Sequence, residues 1–243
     1  MAKPSLLRRK TTDVDIWGNH EKRVLAIFML ALKMLQQEQE LPLQEDQINR
    51  KLSFYIRRAN KQLSDSNQGL SSPCMYEANI QPDADDIIRS KREHKRPDFQ
   101  WGICDTNETN PDKMDKFYIL EAKRLGSPSS PQWILNENYI LNGMKRFILA
   151  EWGYGKSASS GAMIGYIQNM ELDDILKEIN NHCSQVTIMV LTLSSEGWRN
   201  DVSRLDNQLE RTTILPSPFD LRHLWVDLRN HHQNSDNPQD SSP

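Results

Sequence analysis

The sequence predicts an α/β (α+β) domain, a mixed β-sheet flanked by helices with a helical extension at its N-terminal side. Three observations carry that expectation. Apolar residues first recur at helical spacing over two long segments. The pattern then switches to short apolar runs bounded by turn residues, and helical segments return between the later runs. At 243 residues, 37% hydrophobic and 26% charged, the chain has the length and polarity of one substantial globular domain. That domain is expected over 21–229. A flexible stretch, 1–20, precedes it, and a disordered polar tail, 230–243, follows.

The first helix is expected over 21–39, around the apolar run "VLAIFMLALKML". Lys33 interrupts that run, which is shorter than the ~20 residues a bilayer span needs. Its position after "TTDVDIWGNHEKR" is also unlike that of a signal peptide, so a cytoplasmic chain with no membrane contact is expected. The second helix, 45–63, gathers Ile48, Leu52, Tyr55, Ile56, Ala59 and Leu63 on one face. Its other face carries Arg50, Lys51, Arg57, Arg58 and Lys61, either a solvated surface or a phosphate-contacting one.

Three strands follow, in "CMYEANI", "PDFQWGI" and "FYILEAK". A helix over 133–152 has an apolar side of Ile140, Met144, Phe147 and Ile148, and a polar side of Asn138, Asn142, Lys145 and Arg146. After it come the short apolar run "GAMIGYI", a helix over 171–182, the β-branched strand "QVTIMVLTL" and the strand-like "HLWVDL". Cys74, Cys104 and Cys183 are far apart and lack CxxC spacing, so free thiols are expected rather than a disulfide framework or a zinc site.

Charges inside two of these strands need a reason, because a buried charge is costly unless paired or bound to metal. Strand alternation puts Phe117, Ile119, Glu121 and Lys123 on one face, and Tyr118, Leu120 and Ala122 on the other. Asp98 shares a face with Gln100, opposite Phe99, Trp101 and Ile103. The polar loop "CDTNETNPDKMDK" joins the two strands as a hairpin, bringing Asp98 toward Glu121 and Lys123. Converging carboxylates suit a hard cation such as Mg²⁺ (or Mn²⁺), which keeps several waters and also binds phosphate. An ammonium beside them can orient an attacking water or help deprotonate it. Together these groups describe metal-assisted hydrolysis of a phosphodiester.

Pro97-Asp98, then twenty-two residues, then Glu121-Ala122-Lys123 resembles the PD-(D/E)XK nuclease superfamily, the restriction-endonuclease-like fold. The resemblance implies a core order αβββαβ over roughly 45–195. It also implies that Asp98, Glu121 and the main-chain carbonyl of Ala122 hold the metal, while Lys123 acts on the nucleophilic water. A further acidic residue is common in the family, and Glu45, Glu38 and Glu77 are all candidates. RecB-like members carry Gln-x-x-x-Tyr on the next helix, which is absent here. The segment "YILNGMKRFILAEWGYG" followed by "GAMIGYI" looks like standalone nucleases of bacterial defence systems. The implied function is a nuclease acting on DNA, plausibly the effector subunit of an antiviral system, working as a homo-oligomer or with a partner protein. The alternative is a restriction-like fold kept as a non-cleaving binding or assembly subunit.

The net charge of −3 argues against a general nucleic-acid coat, but local basic surface remains. "RSKREHKR" supplies Arg89, Lys91, Arg92, Lys95 and Arg96 just before Asp98; with Lys145 and Arg146 these are the candidate backbone contacts. "GYGKS" hints at a P-loop, yet Ala150 stands where GxxxxGK[ST] requires glycine; a flexible loop with Lys156 reaching toward substrate is the better expectation. His231 and His232 lack further metal ligands. The tryptophans belong mostly to the core, with one free to stack on a base.

Overall fold

A computed structural model describes residues 13–83, 85–156 and 158–231. α1 (Asp13–Gln36) buries Val24, Ile27, Phe28, Ala31, Leu32 and Leu35 along one stripe, the three-and-four spacing of a helix lying on a sheet. It starts earlier than the sequence suggests: residues 13–20, expected to be flexible, are its first two turns. It also stops earlier, because Gln37 and Glu38 turn back onto the carbonyls of Met34 and Leu35, and Pro42 lies just ahead. α2 (Glu45–Ser64) buries Ile48, Asn49, Leu52, Ile56 and Ala59 and leaves its arginines outside, as its periodicity predicts.

The strands are β1 (Met75–Tyr76), β2 (Phe99–Cys104), β3 (Asp115–Leu125), β4 (Ser160–Ile167), β5 (Thr192–Leu193), β6 (Val202–Leu209) and β7 (Phe219–Asp227). They form one seven-stranded mixed sheet in the order β1-β2-β3-β4-β7-β6-β5. β3, β4 and β7 run parallel, and the outer pairings are antiparallel. Both edge strands are only two residues long. The remaining helices are a single turn, α3 (Arg89–Arg92), then α4 (Leu135–Leu141) and α5 (Leu172–Gln185). Among the described residues no helix is long and apolar enough to cross a membrane.

Alternation along the strands builds two cores. Phe99, Trp101, Tyr118, Leu120, Ala122, Ala162, Ile164 and Tyr166 face α1 and α2. Ile119, Leu125, Met163, Ile167, Leu221 and Trp225 face α4 and α5. β4 is buried along its whole length, which explains its small, unbroken apolar sequence.

Several expectations are corrected. "CMYEANI" contributes only Met75–Tyr76, since Glu77 takes a positive φ of 47° and ends the strand. The helix expected over 133–152 breaks after Leu141. There Gly143 turns so tightly that a Cβ would stand 2.4 Å from the Tyr139 carbonyl oxygen, and a 3₁₀ turn follows at Met144–Phe147. "QVTIMVLTL" is a strand only at Thr192–Leu193. Its first residues cap α5 instead: Ile188 N–H donates to the Cys183 carbonyl at 2.9 Å, with Thr187 at a φ of 58°. β6 was not expected from the sequence at all. Of the expected tail, Asn230 and His231 close a short turn, and the rest lies outside the described residues.

Candidate active site

The site forms where β2 and β3 part. Their antiparallel pairing ends at Phe99 opposite Leu120, so Asp98 stands beside Glu121 at the fork. Beyond it β3 continues to Leu125 against β4 alone. The amides on its vacated edge are paired by carboxylates: Ala122 N–H donates to Asp98 Oδ2 at 2.6 Å, and Arg124 N–H to Glu45 Oε2 at 3.2 Å. Backbone donors at a buried edge need acceptors, and here two acidic side chains take the place of a neighbouring strand.

Glu121 is fully buried, and Lys123 is only 8% exposed. Lys123 Nζ donates to Glu121 Oε1 and Glu45 Oε1, both at 2.8 Å, and to the Ala122 carbonyl at 2.7 Å. Arg146 also donates to Glu121 Oε1 and packs on the Trp152 ring at 4.3 Å. Glu121 Oε2, though buried, has no hydrogen-bond partner. Burial and the neighbouring Glu121 carboxylate push Asp98 well above the usual carboxylate range. Burial raises Glu121 too, against the pull of Lys123 and Arg146. Burial opposes the charge on Lys123, but Glu121, Glu45 and Asp98 outweigh it and hold the ammonium above its ordinary value.

Asp98, Glu121, Ala122 and Lys123, expected from the sequence to converge, thus lie together. Of the three candidates for a further acidic residue, Glu45 joins them from the first turn of α2. Glu38 pairs with Lys51 at 3.3 Å, and Glu77 is exposed, reaching the site only through its main-chain N–H, which donates to the Asp98 carbonyl. Among the described residues no group of three or more His, Cys, Asp or Glu is clustered as a metal site. Lys123 Nζ sits between the carboxylates of Glu45 and Glu121. A divalent cation nonetheless fits the donor chemistry. Asp98, the orphaned Glu121 oxygen and the Ala122 carbonyl are hard oxygen donors, and burial with the Glu121 charge outweighs the pull of Lys123 on Asp98.

The basic candidates divide. Lys91 and Arg96 are exposed, Lys95 lies 4.0 Å over the Trp152 ring, and Lys145 is half-buried. Arg89 is exposed but tied to the Pro82 carbonyl and Glu93. Arg92 is corrected: it is buried, paired with Asp86 and donating to the Ala150 carbonyl at 2.7 Å, and therefore holds the fold rather than a phosphate. Lys156 is likewise engaged, 3.0 Å from both Asp83 and Asp86. The turn before it is no P-loop, since no strand leads into it. Arg146 as partner of Glu121 was not legible beforehand, because its reach depends on the break at Gly143.

A cleft of about 700 Å³ opens onto the site, lined by Glu45, Lys123 and Arg146 and further out by Trp133, Asn138 and Asn142. A larger cavity of about 900 Å³ lies elsewhere, between the Asp83–Arg92 and Thr213–Ser217 segments. Its Asp86, Arg92 and Lys156 are already paired with one another, so it offers less unsatisfied chemistry. No protein-family model, no curated protein and no solved structure matches this chain.

Proposed function

We propose that the chain is a divalent-metal-dependent nuclease of the PD-(D/E)XK kind that hydrolyses phosphodiester bonds, in DNA, within a restriction-endonuclease-like fold. The single observation carrying this reading is the meeting of Asp98, Glu121 and Lys123 at the fork between β2 and β3, with Lys123 and the neighbouring Glu45 lining an open cleft. The order α2, β1, β2, β3, α4, β4, with the one-turn α3 inserted between β1 and β2, supports this reading. Asp98, Glu121 and the Ala122 carbonyl would hold Mg²⁺ or Mn²⁺. When bound, the metal supplies Lewis-acid stabilisation of the developing phosphate charge and a more acidic water.

The chain's own groups have distinct tasks. Lys123 is an ammonium in this setting, so it orients the attacking water and donates to a phosphate oxygen rather than removing a proton. Glu45, bonded to the same ammonium and partly open to solvent, is the carboxylate placed to take the proton of a water so held. Arg146 offsets phosphate charge once it leaves Glu121. Lys91, Lys95 and Arg96 guide the backbone toward the fork.

A second reading, a binding or assembly subunit that does not cleave, draws on the saturation of Glu121 Oε1 by two cations. One experiment separates the two. Supercoiled plasmid, single-stranded DNA and RNA are incubated with the protein in Mg²⁺ or Mn²⁺, beside Glu121→Gln and Lys123→Ala. Metal-dependent cutting lost in both variants supports the nuclease. Calorimetry that detects no divalent-metal binding, together with no cutting, sinks it and leaves the binding subunit.

A further inference from the structure

The cleft that reaches the fork is lined by two kinds of surface. Near the site it is charged. Its outer part is built from the Trp133 indole and the amides of Gln44, Asn138 and Asn142. Trp133 is 49% exposed and lines the same cleft as Lys123 and Arg146, which brings an open aromatic face near the charged end. Its main chain is nevertheless held in place. Residues 130–133 close a tight turn in which Trp133 N–H donates to the Ser130 carbonyl at 3.0 Å, and Ser129 N–H to the Trp133 carbonyl at 3.2 Å. The turn connects β3, which carries Glu121 and Lys123, to α4, which carries Asn138. A second apolar surface, Leu43, is 52% exposed beside Gln44 of the cleft wall. It too is fixed, since Gln168 Nε2 donates to its carbonyl at 2.7 Å.

We propose that Trp133 is a base-stacking platform, and that the cleft takes an unpaired nucleotide of the strand to be cut. This rests on the nuclease reading and names its substrate class as single-stranded or locally unpaired nucleic acid. The physical reason is that a base inside a duplex already has both π-faces covered by its neighbours, whereas an unpaired base offers one to an indole. Stacking tolerates any base; Asn138 is bonded to the Ile134 carbonyl and to Asn142, and Gln44 Oε1 accepts from Gln47, so Asn142 Oδ1 and Gln44 Nε2 are the acceptor and donor left for an exposed Watson–Crick edge. The charged end of the same cleft then receives the adjoining phosphate. A rigid platform loses little entropy on binding, which is why its anchoring turn matters.

The test uses the full chain, a labelled oligothymidylate, and a blunt hairpin duplex. Binding is measured by anisotropy with a chelator present, and cleavage is measured separately in Mg²⁺ or Mn²⁺. Trp133→Ala is expected to weaken single-strand binding about tenfold to a hundredfold, from the usual worth of one stacked base. Duplex binding stays unchanged, Trp133→Phe retains most of the affinity, and in cleavage KM rises while kcat holds. Indole emission that the oligothymidylate quenches in the native chain, and not in Trp133→Phe, gives an independent readout. If Trp133→Ala binds and cuts single strands as the native chain does, or loses duplex and single strand equally, the inference is overturned while the nuclease stands. A native chain that neither binds nor cuts any nucleic acid overturns the nuclease reading itself, and this inference with it.

Discussion

His223 is fully buried on β7, its ring nitrogens 2.8 Å from the Tyr139 hydroxyl and 3.1 Å from Asn207 Oδ1. Burial, with Arg222 beside it, pushes its pKa down to about 3. In the unfolded chain the same ring titrates near 6.5. Below that pH the unfolded state binds a proton that the native state refuses, so stability falls as pH drops from about 6.5 toward about 3. Urea unfolding across that range should show His223→Gln losing part of the slope, which for one proton is at most about 1.4 kcal/mol per pH unit. The thiols sort in a similar way. Burial raises both Cys74 and Cys183 to about 12, while Cys104 is exposed at the end of β2. A maleimide at neutral pH should therefore modify exposed Cys104 rapidly, half-buried Cys74 slowly and buried Cys183 only on unfolding, as mass spectrometry over time can follow.

Elements succeed or fail in the sequence according to how local their causes are. α1 and α2 were legible because each carries its own apolar stripe, and β3 because "FYILEAK" is β-prone on both faces. β6 reads "VSRLDNQL", poor in β-formers, and exists because eight residues pair with β7; that cause is tertiary. The β-branched run after α5 erred the other way, its strand propensity overridden by the helix cap. Gly165 gives an element-level test. It lies on β4 between β3 and β7, where an added Cβ would stand 2.5 Å from Leu125 Cδ1 and 2.7 Å from the Trp225 indole. That indole is itself stacked on Trp198 with ring centroids 5.8 Å apart, so it has little room to yield. Gly165→Ala should cost about 1–3 kcal/mol in denaturant unfolding, the usual penalty of overpacking a core.

For the molecule as a whole, the site was legible where it depends on strand alternation and illegible where it depends on how the chain turns between elements. Asp98, Glu121 and Lys123 follow from spacing along a hairpin. Arg146 and Trp133 follow from a helix break and a tight turn that periodicity does not encode. Arg92 looked like a phosphate contact because its partner Asp86 becomes visible only in three dimensions. Under the proposed reading, a metal held by the carboxylates at the fork would couple to folding. A cation that binds the native fork and not the unfolded chain adds about 2.7 kcal/mol at a hundred times its Kd. For a chain of this size that is a rise in Tm of about 5 to 10 °C, expected in the native protein and lost in Glu121→Gln. A Tm indifferent to Mg²⁺ and Mn²⁺ would count against the metal.

The two-residue strands β1 and β5 at the margins of the sheet have a consequence of their own. Each presents too little free main chain to template another strand, and beside β1 the Trp101 carbonyl is already taken by the ring nitrogen of His20 at 3.1 Å. Among the described residues, therefore, neither edge strand offers a second copy more than a two-residue ladder on which to extend the sheet. Self-association through side chains on helical faces or loop tips is then the expected kind, and its test is a reversible response to surface substitution and ionic strength in sedimentation.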